Sequence, residues 1–531
     1  MQIKVGNRAI SKDSPCFIIA ECGINFNGSL ELAKKLIDTA VEAGCDAAKF
    51  QAFTAENMYP KNAGELDRED NYNNKNYSFS IYDAVKSFEL PKSWVPLLQQ
   101  YCTEKSIVFF SSICDEEQAD YYHEVGVPIF KTTSYAITHL PLIEHIAKKG
   151  KPIIMSTGGA TIEEIREAYD LVRNYTKDII LLHCFIKYPA PLDEINMNVV
   201  ETFQKEFPEA IIGYSDHTAE PVDAPVAAIF KGAKVIEKHI TLDKKMEGPD
   251  HFFAVTPIEL KEMVSSIRDA EEKIKRGEQI KVNPVVLGSH HKKLSSEEEY
   301  LREFAYQTII TSTNIQKGET ISKKNVKVLR PGKLGQKLKP KEYPKLIAGT
   351  YKAIKDISAG SPIGWGDVDE VRENLSSTLA LQNNMEITLI TDLEKSMPVL
   401  WEHDQKMQQL NFPDSYPNKE MFEERVRQEY AAGAAYFFLY EQKKIIGSLI
   451  LIAKENPYRR QRYGDIRNIY LEPECRGKGY GRKMLDFADQ YFKKNGCSYA
   501  FAGIAAHNPA SNALFEKAGY NKTRYILEKR Y

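Results

Sequence analysis

Residues able to do chemistry cluster at the ends of short apolar runs in the first half of this 531-residue chain. In order they are Glu21, Lys49 with Gln51, Ser111 and Ser112, Lys131 with Ser134, Ser156, Tyr188 just past a run, Ser215-Asp216-His217, and Lys238-His239. Neutral imidazoles at His217 and His239 are suited to converge on one divalent cation while leaving positions open to water or substrate. Two ligands alone make a weak site, and a solvated histidine beside a core histidine is the bland alternative. Lys49 and Lys131, with hydroxyls around them, offer point charges and donors to a small phosphorylated or carboxylated substrate. Rim lysines in solvent fit less well, because both end apolar runs. Glu21 closes a run where nothing demands a charge structurally, which makes it the natural general acid or base.

The runs that must position these groups are eight: residues 17–23 (FIIAECG), 47–53 (AAKFQAF), 108–114 (VFFSSIC), 129–135 (IFKTTSY), 152–158 (PIIMSTG), 179–185 (IILLHCF), 211–217 (IIGYSDH) and 235–241 (VIEKHIT). Between them lie amphipathic stretches such as SLELAKKLIDTAVEAG and TIEEIREAYDLVRNY, whose apolar residues recur every three or four positions as a sheet-covering helix requires. Eight strand-helix units over about 250 residues spell an α/β fold of the (β/α)8 TIM-barrel type. In that fold reactive groups stand at the C-terminal ends of the strands, which favours the metal reading of His217 and His239. Residues 54–95 form one connection too long for a simple turn, polar and rich in Tyr and Asn, as a functional rim loop would be.

The spacing predicts a barrel over residues 1–285, closed by TPIELKEMVSSIRDAEEKIKRG, then a polar linker at 286–304 that contains GSHHKKLSSEEE. Residues 305–368 read as a small β-rich module, 369–384 as a second linker, and 385–531 as an independent mixed α/β unit. With 71 Lys+Arg against 73 Asp+Glu the net charge is -2, so no whole-chain positive field exists for nucleic acid. No apolar run reaches the roughly 18 residues of a membrane span, and MQIKVGNRAISK lacks the order of a secretion signal. Eight cysteines scattered without CxxC pairs suit reduced thiols. The expected location is the cytoplasm, with neither nucleic acid nor membrane as partner.

AECGINFNGSLELAKKLIDTAVEAGCDAAKFQ, KPIIMSTGG, HCFIKYPAP, IIGYSDHT, VIEKHITLDKKMEGPDH and VLRPGKLG together resemble the sialic acid synthase family, in the correct order over about residues 1–368. Residues 305–368 resemble its antifreeze-like (SAF) domain. The resemblance implies condensation of phosphoenolpyruvate with an open-chain N-acetylated hexosamine aldehyde, giving a nine-carbon 2-keto acid and phosphate, with Mn2+ or Mg2+ as cofactor. By matching positions, His217 and His239 would hold the metal, and Lys49, Ser112, Lys131, Ser134, Ser156 and Ser215 would hold phosphoenolpyruvate. Tyr188 and Asp250 would hold sugar hydroxyls, and Glu21 would move protons near the reacting carbons. Arg330 matches an arginine donated across a domain-swapped homodimer to the sugar's N-acetyl group. The chemistry agrees, since a weak enol nucleophile needs a Lewis acid on the aldehyde and a cationic cradle for the donor.

The sequence also departs from the family. Phe26 stands where His is common, Ile113-Cys114 replace Pro-Phe, Ala136 replaces a Glu, and Ile186 replaces an Asn or Thr that contacts substrates. A lost carboxylate and a lost amide put the proton-transfer assignment in question and point to an unusual acceptor sugar. Two other readings are a Schiff-base aldolase using Lys131 and a catalytically dead sugar- or CoA-binding regulator.

In the last unit, IRNIYLEPECRGKGYGRKMLDFADQYFKKNG reads as a strand, a Gly-rich turn and a helix stopped by Gly496. Glycines let backbone approach a pyrophosphate at a helix N-terminus. With HNPASNALFEKAGY about 30 residues later, the segment resembles the GNAT acetyltransferase superfamily. That resemblance implies acetyl-CoA binding by Arg476, Gly477, Lys478, Gly479, Tyr480, Gly481 and Asn508. Phe515 occupies the position of a common Tyr acid, and Glu472, Asp465 and His507 are possible bases. The two halves together predict a bifunctional enzyme of sialic-acid-like (nonulosonic acid) biosynthesis.

Overall fold

The computed structural model describes residues 2–70, 75–370, 378–381, 385–411, 418–431, 433–456, 461–502 and 509–520. The chain divides into two compact units, residues 1–371 and 372–531. In the first, eight parallel strands close into a barrel: β1 (Phe17–Gly23), β2 (Ala47–Ala52), β3 (Val108–Ile113), β4 (Phe130–Thr132), β5 (Ile153–Ser156), β6 (Ile179–Cys184), β7 (Ile211–Asp216) and β8 (Val235–His239), with β8 paired to β1. Each of the eight lies within one of the eight runs read from sequence. Parallel strands covered on both faces need near-continuous apolar sequence, and almost every residue of these strands is buried.

Helix starts are fixed locally. Thr161 and Thr256 each form a capping box with the Glu three residues on, Glu164 and Glu259. An N-terminal hairpin, Gln2–Val5 with Arg8–Ser11, buries Ile3, Val5 and Ile10 in the barrel core at the end opposite the strand C-termini.

The long connection after β2 carries an antiparallel hairpin, Glu65–Asp70 with Lys75–Ser80, and helix α1 (Ile81–Ser87). The stretch read as a polar linker is not a plain tether, since it contains helix α2 (Ser296–Ala305), whose Glu298 is only 1% exposed. The small module that follows pairs Thr308–Thr311 with Val326–Leu329 and Tyr351–Ala353 with Val368–Glu370 around a core that includes Ile309, Ile321, Leu346 and Ile363.

The second unit is a six-stranded sheet in chain order: β9 (Thr378–Leu381), β10 (Met385–Leu389), β11 (Ala435–Glu441), β12 (Lys444–Asn456), β13 (Gln461–Leu471) and β14 (Tyr499–Ala502). β9 falls within the second expected linker. Separate apolar clusters cover the sheet's two faces, one under helix α3 (Leu393–Asn411) and one under helix α4 (Tyr480–Lys494). Among the described residues no helix is long and apolar enough to cross a membrane.

Candidate active sites

Strand alternation sorts the chemical residues of the barrel. On β8, Glu237 and His239 share the inward face, while Lys238 turns outward and forms a buried ion pair with Asp216 at 2.6 Å. The Lys238 ammonium also donates to the Thr218 and Glu220 carbonyls at 2.6 and 2.9 Å, so Lys238 and Asp216 pin a loop and do not face the site. Ser111 likewise turns away and donates to the Phe50 carbonyl.

The inward residues meet at the strand C-termini around a cavity of about 890 Å³. Glu21, Lys49, Ser112, Lys131, Ser134, Ser156, Tyr188, Ser215, His217, His239, Asp250 and Arg330 all line it. Ala136, Ile186, Phe26, Ile113 and Cys114 do not. Phe26 packs against Phe50 and Trp94, and Ala136 and Ile186 are buried behind the wall.

Four buried charges form the floor. Lys49 lies 2.5 Å from Glu21 Oε2 and 3.6 Å from Glu237 Oε1, and Lys131 lies 3.3 Å from that same Glu237 oxygen. Ser215 donates to it at 3.1 Å, and Gln51 donates to Glu21 at 2.8 Å. Burial pulls Lys49 down, but Glu21 and Glu237 outweigh it and hold its proton more tightly than usual. For Lys131 burial dominates, and Glu237 only partly restores the ammonium. Burial likewise raises Glu21 despite the pull of Lys49, whereas Lys131 and Lys49 overcome the burial of Glu237 and keep it ionised. The hydroxyls of Ser112 and Ser156 are buried in this wall without a hydrogen-bond partner among the described residues, as donors reserved for a ligand would be.

His217 and His239 stand side by side with ring centroids 5.5 Å apart. His217 Nδ1 donates to the Phe185 carbonyl at 2.6 Å, which leaves its Nε2 lone pair unused, the usual second interaction of a metal-binding histidine. His239 Nδ1 has no hydrogen-bond partner among the described residues and lies 3.5 Å from Asp250 Oδ2. Burial keeps both rings neutral, His217 pushed down to about 4 and His239 well below its ordinary range. Tyr188 lies over His217 at 4.1 Å, and Phe253 flanks His239 at 5.1 Å. Burial, then the Glu21 charge, pushes the Asp250 carboxyl up to about 7. Two adjacent neutral imidazoles fit a divalent cation. Among the described residues no set of three His, Cys, Asp or Glu encloses one position, so its other ligands would be water or substrate.

The small module closes one side of the cavity. Arg330 lies 4.4 Å from the Tyr135 ring and 5.8 Å from Tyr59, and its backbone donates to the Met58 carbonyl at 2.8 Å. Gly332 follows at φ +61, where a Cβ would stand 2.5 Å from the Ala63 carbonyl oxygen, so this close approach requires glycine. Within the single chain Arg330 reaches the barrel that precedes it.

In the barrel, sequence reasoning missed Glu237 and Glu298. Glu237 was visible in principle, two positions before His239 on the same strand face. Glu298 carried no such signal: its carboxylate accepts from the backbone of Gly159 at 3.0 Å and Ile186 at 3.3 Å, bracing the loops that follow Ser156 and precede Tyr188.

In the second unit, α4 begins at Gly479, which takes φ 80 and supplies no side-chain cap, leaving first-turn N–H groups open. Gly477, at φ 78, shares this left-handed turn. Arg476 is tied to the Leu471 carbonyl at 3.1 Å, Lys478 is exposed, and the Tyr480 hydroxyl is paired with Glu441. Gly481 serves packing, since a Cβ would come 2.8 Å from Leu514. Among the described residues β13 pairs with β14 from Tyr463 to Ile466. Asn508 and His507 lie outside the described residues.

Glu472 follows β13 and is no solvated turn residue. It pairs with Lys406 at 2.9 Å and accepts from Tyr470 at 2.9 Å. His403 of α3, unforeseen in sequence, stacks on Tyr470 at 4.5 Å, bonds Ser448 at 3.0 Å and lies 3.7 Å from Glu472. Asp465 is engaged by Lys454 and Arg467, and Phe515 packs in the core.

Residues 36–279 match the NeuB family, 306–369 the SAF domain and 401–520 the acetyltransferase (GNAT) family. The spore coat polysaccharide biosynthesis protein SpsE of Bacillus subtilis is 43% identical over 366 residues, 69% of this chain and 96% of that protein. Its crystal structure aligns over 69% of this chain and 99% of that one with a TM-score of 0.61. The N,N'-diacetyllegionaminic acid synthase of Legionella pneumophila is 36% identical over 359 residues, 67% of this chain and 95% of that enzyme.

Proposed function

The chain belongs to the NeuB family, with an added SAF domain and GNAT acetyltransferase domain, and from that membership we propose a bifunctional enzyme of sialic-acid-like sugar biosynthesis. The first unit joins phosphoenolpyruvate to an N-acetylated hexosamine aldehyde, releasing phosphate and a nine-carbon 2-keto acid. The second transfers acetyl from acetyl-CoA to the amine of a related amino sugar. The observation that carries the reading is the convergence of two neutral imidazoles, two buried ammoniums and two unpartnered hydroxyls on one cavity.

His217 and His239 would hold Mn2+ or Mg2+, which supplies Lewis-acid polarisation of the aldehyde oxygen. Lys49 and Lys131, with Ser112, Ser134, Ser156 and Ser215, grip the donor's phosphate and carboxylate and aim its nucleophilic carbon. Glu237 holds Lys131 and the Ser215 hydroxyl in place for that grip. Glu21, raised by burial, takes or gives the proton near the reacting carbons, and Tyr188 and Asp250 orient sugar hydroxyls. Arg330 meets the N-acyl group. A homodimer that exchanges the small modules would present the same arginine to the same surface, residues 58–63. In the second unit, the turn at Arg476–Gly481 receives the pyrophosphate of acetyl-CoA, and Glu472, held ionised by Lys406 and Tyr470, is the candidate base. Eight free thiols support a cytosolic setting.

The aldolase reading needs a neutral Lys131. Burial favours that form, but a carboxylate at 3.3 Å opposes it, and borohydride trapping with pyruvate separates the two. The decisive test incubates the protein with phosphoenolpyruvate, Mn2+ and a hexosamine panel, alongside His217→Ala. Phosphate release that disappears in H217A while acetyl transfer persists supports the reading. Loss of both activities without unfolding refutes the two-site assignment.

A further inference from the structure

The cavity has two chemically distinct ends. Around Lys49, Lys131, His217 and His239 it is charged and polar, but toward the connection after β2 it is walled by Phe53, Met58, Ile81, Val85, Phe88 and Phe304. Of its lining residues between Phe53 and Phe88 none is charged. The apolar wall also reaches solvent, because Leu66 and Phe79 of the hairpin line the same cavity at 38% and 37% exposure. At about 890 Å³ the whole space is near the upper end of the roughly 300–1,000 Å³ of small-ligand sites.

A polyhydroxylated sugar carbon chain is a poor occupant for that end, since its hydroxyls would lose water without gaining partners. An alkyl group loses nothing there. Arg330 stands between the two ends: its guanidinium is 5.8 Å from the Tyr59 ring, which in turn lies 6.2 Å from the ring of Phe304. An amide oxygen on that fork directs the rest of the acyl chain along Tyr59 toward the apolar wall.

We propose that the acceptor is a hexosamine bearing an N-acyl chain longer than acetyl, whose alkyl end fills the annex between α1 and Phe304. This rests on the synthase reading above and deepens it by replacing the acetyl of the acceptor with a longer acyl chain, making Val85, Phe88 and Phe304 specificity-determining residues. Each methylene placed in such a wall is worth about 0.8 kcal/mol, or about fourfold in kcat/KM.

The test uses the full chain with Mn2+, saturating phosphoenolpyruvate and one hexosamine carrying N-acetyl, N-propanoyl or N-butanoyl, the acyl chain being varied at each amine in turn. Phosphate release should give a kcat/KM that rises about fourfold per methylene. Val85→Thr, which puts a hydroxyl in the wall, and Ala84→Phe, which fills the space, should each collapse the butanoyl-to-acetyl ratio. The corresponding N-acyl hexosaminitols, which have no aldehyde to attack, report the same ratio as calorimetric Kd values even in a preparation without turnover. Turnover with a flat or falling series overturns the annex and leaves the synthase reading standing. Absence of phosphate release from every acceptor overturns the synthase reading, and the hexosaminitol affinities then decide the annex on their own.

Discussion

Glu298 gives the sharpest test of how the first unit holds its site. Its carboxylate, 1% exposed, reaches from α2 into the barrel mouth and accepts from the amides of Gly159 and Ile186. Arg302 on the same helix and Tyr306 just past its end act in parallel: Arg302 donates to the Gly159 carbonyl at 2.8 Å, and the hydroxyl of Tyr306 donates to the Gly158 carbonyl at 2.7 Å. Glu298→Ala removes the acceptor and leaves two buried N–H groups unmet, each worth about 1–3 kcal/mol. The sum is about 2–6 kcal/mol. Glu298→Gln keeps a carbonyl oxygen in place and loses only the charge-assisted part, about 1 kcal/mol.

Hydrogen exchange reads this amide by amide. In E298A the protection of Gly159 and Ile186 should fall by about 5- to 150-fold each, the same 1–3 kcal/mol expressed as an equilibrium factor. Urea unfolding of the first unit should rank wild type above E298Q above E298A. Because Ile186 lies two residues before Tyr188, and Gly159 three after Ser156, KM should rise in E298A before kcat falls. Equal exchange rates in E298A and wild type would refute the brace, as would E298Q being as unstable as E298A.

Two further outcomes follow from other positions. His139 caps a helix by accepting from the Leu142 amide, and His183 is bonded to the Ile195 carbonyl; burial pushes them down to about 4 and about 3. Both are depressed below the unfolded value of 6.5, so their contribution to stability is complete above that pH and is lost as the pH falls from 6.5 toward 4 and 3. The expected slope is about 1.4 kcal/mol per pH unit for each histidine, and His139→Asn, which keeps a cap acceptor, should remove one share in acid urea titrations. Gly479→Ala forces a side chain into φ 80 at the start of α4, costing about 1–2 kcal/mol. Acetyl-CoA affinity should drop while phosphate release by the first unit is unchanged, and an unaltered Kd by calorimetry would mean that the turn does not bind the cofactor.

The barrel was legible because strands buried on both faces leave the same mark in any parallel sheet. FIIAECG predicted residues 17–23 and the strand spans those seven positions; IFKTTSY predicted 129–135, but the strand ends at Thr132 because Ser134–Ala136 turn into a 3-10 segment. The hairpin after β2 was not legible, since ELDRED carries a single apolar residue, Leu66, too few to show a period of two. Within the site, reading strand ends as blocks gave Lys238 equal standing with His239, although a period of two separates them. The same period would have promoted Glu237. Helix α2 was hidden differently: Ser295 and Glu298 spell a capping box, and Ser295 does accept from the Glu298 amide at 3.2 Å. The Glu298 side chain, however, goes to the barrel, a choice that only tertiary packing can make.

The four charges beneath the cavity also constrain how an anionic donor can bind. Lys49 and Lys131 are matched by Glu21 and Glu237, so the floor is electrically neutral before any ligand arrives. These four groups therefore supply no net-charge attraction, and what they add to affinity has to come from donors that the carboxylates leave unused. Lys49 contacts both carboxylates, whereas Lys131 contacts Glu237 alone, so most of the ammonium's three donors stay available. Ser112 and Ser156 add hydroxyls with no partner among the described residues. A phosphate that met only Lys49 would have to displace Glu21, the proposed proton carrier. One that meets Lys131 and the two serines would leave the Glu21–Lys49 pair intact, with one N–H of Lys49 still open to the donor's carboxylate, a division of labour that fits two lysines paired so differently, 82 residues apart in sequence and sharing one carboxylate in space.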